Sequence, residues 1–199
     1  MQNKIISGIL GLALVASALV IALLALKVAR LEKQLAPVKA RQAADNRQKA
    51  LGEKFEQRMA QDRAKYTPNQ LQAAEQLYQV ANQKWGTPEE VENLQTMIKK
   101  YPDFDRTGCA MLYLAQMSKG DERAKYLQSC IDDYNDCFYG DGAQVGPYAR
   151  FMLAQDLKQS GEAAKAKALF NEIKAKYPDA IDHSGKLLVD LIPAGLNGK

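Results

Sequence analysis

The apolar positions of this chain form two patterns, an uninterrupted run near the N-terminus and a helical spacing that recurs through the rest of the sequence. Residues 94–103 read LQTMIKKYPD, residues 127–136 read LQSCIDDYND and residues 169–179 read LFNEIKAKYPD. In each phrase a leucine, an isoleucine and a tyrosine follow one another at intervals of three or four residues, which places them on one face of an α-helix. The pattern therefore predicts the same helix three times.

A second helix is predicted ahead of each phrase, because an apolar residue followed by alanine recurs there and a glycine comes after it. Pro102 and Pro178 stop the later helix in two of the copies. An isolated helical hairpin cannot bury apolar side chains on both of its faces, so we expect the hairpins to stack. The apolar–alanine pairs and their glycines are 80–81 with Gly86, 114–115 with Gly120 and 153–154 with Gly161.

A recurring helix–turn–helix unit of about 34 residues resembles the tetratricopeptide repeat. The third copy shows this most clearly, since Leu153 and Ala154 stand at the family's large and small positions, with Gly161 at the turn. Pro178 follows the second helix, and Arg150 stands where the family usually has tryptophan. Ala166, Phe170 and Ile173 match the core positions of the second helix, and Leu157 stands at the usual tyrosine.

The resemblance implies an all-α domain over residues 67–192. The glycine-rich stretch CFYGDGAQVG, residues 137–146, predicts a loop between the second and third copies. Terminal elements of such stacks cover the exposed apolar end, and we expect this role of Leu187, Leu188 and Leu191. The expected elements are repeats at 69–102, 103–136 and 147–180, a capping helix at 181–192 and a tail at 193–199.

The uninterrupted apolar run is IISGILGLALVASALVIALLAL, residues 5–26, which contains no charged residue. A helix of this length is about 33 Å long, which matches a hydrocarbon core of about 30 Å. We predict a single transmembrane anchor at 5–27, with a signal peptide cleaved at the A-x-A site of residues 16–18 as the alternative. The short basic N-terminal tail favours an inner (cytoplasmic) membrane protein with a periplasmic domain, whereas the basic residues after the span favour a cytoplasmic one.

Residues 28–66 are predicted to form a basic helical stalk, because apolar residues alternate at four- and three-residue intervals at its start, as in a coiled coil. Pro37 is expected to end or kink the helix. Between residues 27 and 66, Lys and Arg outnumber Asp and Glu by 11 to 5. This excess indicates either contact with anionic lipid headgroups or a solvated basic helix, and self-association of the stalk would make a homo-oligomer. The seam residues are Leu24, Val28, Leu31, Leu35 and Val38.

The first helix of each tetratricopeptide hairpin lines the concave surface of the stack, so the resemblance implies a groove. Residues three positions before the alanines would form an apolar ladder there, and residues one position after them an amide ladder. Side-chain amides donate to and accept from peptide bonds, so we expect a peptide or protein partner; packing against the stalk or a second copy is the alternative. The predicted groove residues are Tyr78, Asn82, Leu112, Gln116, Phe151 and Gln155, with Tyr148 at the lip.

The chain offers few groups for catalysis or metal binding. Cys109 and Cys130 lie equally far from the turn of the second hairpin and could form a disulfide, although Cys130 also aligns with apolar core positions. No C-x-x-C motif occurs, and the acidic residues of 132–136 do not fit a calcium loop. His183, the only histidine, has no nucleophile motif beside it. Residues 67–199 carry more acid than base, which disfavours nucleic-acid binding.

Together these features predict a non-catalytic interaction scaffold or adaptor at a cell-envelope membrane, without a cofactor or metal. The layout is similar to that of bacterial envelope proteins that join a membrane anchor to tetratricopeptide repeats. The alternatives are a structural oligomerisation module with a self-associating stalk and a thiol-redox protein.

Overall fold

The computed structural model describes the backbone of residues 2–196 and the side chains of residues 21–195 other than Asn82. Within this part of the chain the structure contains seven α-helices, two short 3-10 helices and no strand, so the predicted all-α class is confirmed. The helices are α1 (Gln2–Lys65), α2 (Pro68–Gln83), α3 (Pro88–Lys100), α4 (Asp105–Met117), α5 (Gly120–Asp132), α6 (Val145–Gln159) and α7 (Ala163–Lys176), followed by 3-10 helices at Leu188–Leu191 and Ala194–Leu196.

The chain divides into two compact units, Met1–Gln48 and Lys49–Lys199. In the first unit α1 continues through Pro37. Of the two outcomes predicted for this proline, an end of the helix is therefore wrong. The five residues of the predicted seam are each between 48% and 60% exposed.

The transmembrane anchor predicted at residues 5–27 lies mostly outside the described side chains. In the part of the chain that the structure describes, no helix is both long enough and apolar enough to cross a membrane. Within the predicted tail at 193–199, Ala194–Leu196 form a 3-10 helix, and residues 197–199 lie outside the described residues.

The second unit contains three helical hairpins, α2–α3, α4–α5 and α6–α7, which pack against one another in chain order. Their turn glycines have positive φ values, +78° at Gly86, +56° at Gly120 and +86° at Gly161, which glycine adopts without steric cost. One apolar cluster joins α2, α3, α4, α5 and the start of α6, and a second joins α6, α7 and the C-terminal segment. The largest fully buried apolar side chains are Leu94, Met97, Leu112, Leu127, Val145, Phe170, Ile173 and Leu188.

The last part of α1, from residue 49 onward, belongs to this second unit, and the helix itself ends at Lys65, one residue before the predicted end of the stalk. Leu51 is 4% exposed and lies in a small cluster with Phe138 and Ile181, against which Phe55 and Leu187 also pack. Leu51 and Phe55 are one helical turn apart on α1 and therefore share a face. Apolar burial explains why this segment packs with the hairpins.

The predicted capping helix at 181–192 is also wrong, because this segment folds into a tight turn followed by a 3-10 helix. The amide of Leu188 donates to the carbonyl of Ala180, and Gly185 has a φ of +80° that ends any helical path. Asp182 stabilises the turn by accepting from the amides of Ser184 and Lys186. Burial of Leu188 still covers the end of the stack, as a cap must.

A buried ionic cluster holds α1 against the second hairpin. Arg58 Nη1 donates to Asp62 Oδ1 at 2.6 Å, and its Nη2 donates to the carbonyl of Asp103, also at 2.6 Å. Asp62 Oδ2 accepts from the amide of Asp105 at 3.0 Å, and Asp105 Oδ1 accepts from the amide of Phe138 at 2.8 Å. The cluster thus connects α1, the start of α4 and the loop after α5.

The cluster contains one more carboxylate than it has close arginine partners. Arg58 Nε lies 3.9 Å from Asp105 Oδ1, too far for a hydrogen bond. Burial raises the pKa of Asp105 to about 7, although the amide of Phe138 and the charge of Arg58 act in the opposite direction. Burial likewise raises the pKa of Asp62. Asp105 therefore binds its proton more tightly in the folded chain than in the unfolded one.

We predict that Asp105 makes the free energy of unfolding fall as the pH rises from about 4 to about 7. The folded state keeps the Asp105 proton up to about pH 7, whereas an unfolded aspartate releases it near pH 4. Stability from this proton is fully present below about pH 4 and is lost as the pH approaches 7, with a slope of about 1 kcal/mol per pH unit. Denaturant unfolding followed by fluorescence of the single tryptophan, Trp85, measures it.

The decisive quantity is the difference in slope between the wild type and Asp105→Asn, which keeps an oxygen to accept from Phe138. Asp121→Asn, at an exposed aspartate of α5, is the matched control and should keep the wild-type slope. Identical slopes for the wild type and Asp105→Asn would contradict the prediction.

Candidate functional site

The predicted apolar ladder lies in the core rather than on a surface. Tyr78 is 3% exposed, Leu112 0% and Phe151 6%, so the prediction that these rungs face a groove is wrong. The reason is the register: the alanines mark the helix side on which neighbours approach most closely. A residue three positions earlier lies on that same side and is buried with them.

The amide ladder and the lip are only partly buried. Gln116 on α4, Gln155 on α6 and Tyr148 on α6 each retain some solvent exposure. The side chain of Asn82 lies outside the described residues. Their role in partner binding stays a prediction, and of this group Tyr148 has a ring contact with His183.

Five aromatic side chains, hereafter the aromatic row, contact one another in succession from the turn of the first hairpin to α6 of the third. Successive ring centroids are 5.3, 5.8, 4.5 and 5.1 Å apart, within the range of favourable aromatic contacts. The row begins in the α2–α3 turn, passes α4 and the loop after α5, and ends on α6. Its members, in spatial order, are Trp85, Tyr113, Tyr139, His183 and Tyr148.

Trp85 is the most exposed member of the row, at 53%. It precedes Gly86 in the α2–α3 turn, where Thr87 accepts from the amide of Glu90 and so caps α3. Its indole meets Tyr113 edge to face at 88°. A tryptophan held by a capped turn and left half in solvent loses little entropy when a partner covers it.

Tyr113 is supported from below by a buried aromatic layer. Its ring stacks on the ring of Tyr78, with the centroids 5.6 Å apart and an angle of 10° between the ring planes. Arg106 lies over the Tyr78 ring, with its Cζ 5.1 Å from the ring centroid. Arg106 is itself paired with Glu75, whose Oε2 lies 3.4 Å from Arg106 Nε. This support fixes the position of Tyr113 without covering it completely.

The far end of the row is organised around His183 and Asp141. His183 Nδ1 lies 2.8 Å from Asp141 Oδ2, and the imidazole meets Tyr139 and Tyr148 edge to face at 86° and 82°. Asp141 Oδ1 accepts from the amide of Ala143 at 3.0 Å. His183 thus joins the C-terminal turn to the loop after α5 and to α6.

The tyrosines of the row are neutral phenols at physiological pH. Burial is the main cause that raises the pKa of Tyr113 and of Tyr148, and the nearby carboxylates of Asp182 and Asp141 add to the effect at Tyr148. Full burial raises the pKa of Tyr139 well above its ordinary value, and its hydroxyl donates to the carbonyl of Cys109 at 3.3 Å. The partly exposed tyrosines of the row, Tyr113 and Tyr148, therefore offer neutral rings and hydroxyls, whereas Tyr139 is buried.

The three cysteines are buried free thiols, so the predicted bridge between Cys109 and Cys130 is not formed. Burial is the main cause that raises the pKa of all three, and the pKa values of Cys130 and Cys137 lie far above the range in which thiolates react at neutral pH. The thiols contribute to the core as small apolar groups instead. Among the side chains that the structure describes, no group of three His, Cys, Asp or Glu could hold a metal ion.

A scan against protein-family models and searches of the curated proteins and of the solved structures each found no match to this chain.

Four members of the aromatic row were not predicted from the sequence. Trp85 carried a usable signal, because a tryptophan directly before a turn glycine has no helical core face to occupy. Tyr113 could have been found by moving the ladder one residue toward the C-terminus of α4. Tyr139 and His183 meet only because two loops distant in sequence fold onto each other, which helical periodicity does not report.

We predict that Leu112→Ala lowers the free energy of unfolding by about 2–5 kcal/mol, since it leaves a cavity in the core. Gln116→Ala, one turn further along the same helix and partly exposed, should change it by less than about 1 kcal/mol. Denaturant unfolding monitored by Trp85 fluorescence compares the two. Wild-type stability in Leu112→Ala would contradict the buried placement.

Proposed function

We propose that this protein is a non-catalytic adaptor that binds a peptide or protein partner on the aromatic row and is held at a membrane by its N-terminus. In this proposal residues 67–192 form a tetratricopeptide-like stack whose first helices and connecting loops supply the binding face. The support is the order of three hairpins with glycine turns, together with a surface that extends across all of them.

The aromatic row is the observation that carries the proposal. Large aromatic side chains are enriched among residues that dominate binding energy, because they bury much area with few rotatable bonds. Trp85 is half in solvent, while the turn cap and Tyr113 hold it in place. The partly buried amides of Gln116 and Gln155 lie on the helices that also carry Tyr113 and Tyr148, and they can pair with a peptide backbone.

The membrane anchor of this proposal is residues 5–27, supported by the uncharged run of residues 5–26. The short basic N-terminal tail supports an inner-membrane protein whose stack lies in the periplasm, and a cytoplasmic orientation is the alternative. The basic residues that follow the run would lie next to anionic headgroups.

We predict that panning a phage-displayed library of random 12-residue peptides on the full chain enriches clones that bind the aromatic row. Trp85→Ala and Tyr148→Ala should each weaken the selected peptides by about tenfold or more, the loss expected for an aromatic hot spot. Tyr126→Ala, at a partly buried tyrosine of α5 outside the row, is the matched control. Fluorescence polarisation with labelled peptides measures the affinities.

Failure to enrich any clone over an empty surface would contradict the proposed function. So would selected peptides that bind Trp85→Ala and Tyr148→Ala as tightly as the wild type. Unfolding curves of the variants show whether a loss of binding reflects a loss of fold, and the Gln116→Ala and Gln155→Ala variants test the amides in the same way.

A structural oligomeriser is the second candidate, and the exposed seam of α1 favours it. Leu31 and Leu35 are each 48% exposed, and with Leu24 and Val28 they repeat at coiled-coil intervals. Such a stripe is the expected contact between copies, and a shared membrane would raise its local concentration.

We predict that the full chain self-associates through this seam, and that the double change Leu31→Glu and Leu35→Glu makes it monomeric by placing charge in the contact. Lys33→Glu, between them on an exposed position, is the control and should leave the assembly intact. Sedimentation of the full chain in detergent measures the mass, and deletion of residues 1–42 should act like the double change. A monomeric wild type would exclude the oligomeriser.

A further inference from the structure

We propose that the Tyr148 end of the aromatic row recognises an arginine side chain of the partner, with Asp141 and Asp182 supplying the carboxylates. The inference rests on the proposed function and names the partner's chemistry: a peptide segment in which arginine stands among apolar residues.

Asp141 is a fixed and accessible carboxylate. It is 43% exposed, and its two oxygens are positioned by the amide of Ala143 at 3.0 Å and by His183 Nδ1 at 2.8 Å. Held in this way, it loses little conformational entropy on pairing with a cation, which is the usual cost of a surface ion pair.

Asp182 adds a second negative charge at the same end. Burial alone would raise its pKa, but the hydrogen bonds from Ser184 and Lys186 outweigh that effect and lower it, so the group is ionised. Asp182 directly precedes His183, whose ring contacts Tyr148, so a second carboxylate lies at this end of the row. The charge of Lys186 also helps to lower the pKa of Asp182, which leaves Asp141 as the main partner for a cation.

The faces of the adjoining tyrosine rings are electron-rich, and these side chains are only partly buried. Tyr148 and Tyr113 remain partly exposed, and His183 contacts Tyr148 with an edge-to-face geometry. A planar guanidinium stacks on such a face while its N–H groups reach a carboxylate, a combination that an ammonium group matches less well.

Within the second unit the fold already combines an arginine, a tyrosine ring and a carboxylate twice. Arg106 lies 5.1 Å over Tyr78 and pairs with Glu75 at 3.4 Å, and Arg150 lies 5.0 Å over Tyr177 and pairs with Glu172 at 3.3 Å. In the described part of the chain these two arginines account for the recorded cation–π contacts. Tyr148 with its carboxylates offers a third such place without an arginine of the chain upon it.

The test compares two labelled 12-residue peptides of alternating leucine and arginine, one of them with citrulline at every arginine. Citrulline keeps the planar shape and removes the charge. We expect the arginine peptide to bind the full chain about tenfold more tightly or better, since a fixed carboxylate and a ring act together. Asp141→Asn should reduce this ratio to about threefold or less, and Tyr148→Leu should weaken the arginine peptide by a similar factor.

The matched control is Asp121→Asn, which removes one exposed carboxylate on α5, outside the aromatic row, and should keep the full ratio. Asp141→Asn keeps an oxygen for the Ala143 amide, and unfolding followed by Trp85 fluorescence verifies that the variant is folded. If it is not folded, Tyr148→Leu alone provides the measurement.

Several outcomes would overturn the inference. Equal affinity for the two peptides, with both lost in Trp85→Ala, would leave the proposed peptide-binding function standing and remove the arginine site. Arginine-dependent binding that is the same in Asp141→Asn, Tyr148→Leu and the wild type would assign the cation to another acidic surface. Absence of binding by the arginine peptide, alongside library peptides that do bind the row, would also reject the arginine site alone.

Discussion

The apolar core shared between neighbouring hairpins is the interaction on which the rest of this structure depends. Helix α4 shows this most directly, because nine of its 13 residues are buried and its neighbours lie on several sides. A Cβ added at Gly108 would lie 2.6 Å from Cys137 Cβ, so the helix approaches the following loop as closely as glycine permits. A hairpin taken from this environment would expose most of what now stabilises it.

Stacking also creates the surface to which we assign function. The members of the aromatic row come from a turn, two helices and two loops, and each of these elements carries one member. Only tertiary packing brings neighbouring members into contact. Arg58, Asp62 and Asp105 tie the end of α1 to the same loop that carries Tyr139 and Asp141. This ionic cluster is a costly way to hold α1, because buried charges lose hydration. It suits a contact that must have one register rather than the greatest stability.

The sequence predicted the parts of this fold that follow from local periodicity. Leu94 and Leu127 were placed on core faces by their spacing, and both are fully buried. The capping helix was predicted at the C-terminus because Leu187, Leu188 and Leu191 have helical spacing. That prediction is wrong because Asp182 and Gly185, which precede these leucines, form a turn whose hydrogen bonds override the spacing. The contact of α1 with the loops and the meeting of Tyr139 with His183 are both long-range, and a single sequence carries no periodic signal for either.

Native-state hydrogen exchange of the full chain tests the central claim, that the hairpins are stable only as a stack, more directly than any other measurement. The account predicts that the slowest amides of α3, α4, α5 and α6 exchange with a common free energy and a common denaturant dependence, because they lose protection in one event. A hairpin that keeps its protection under conditions in which its neighbours exchange freely would contradict the account.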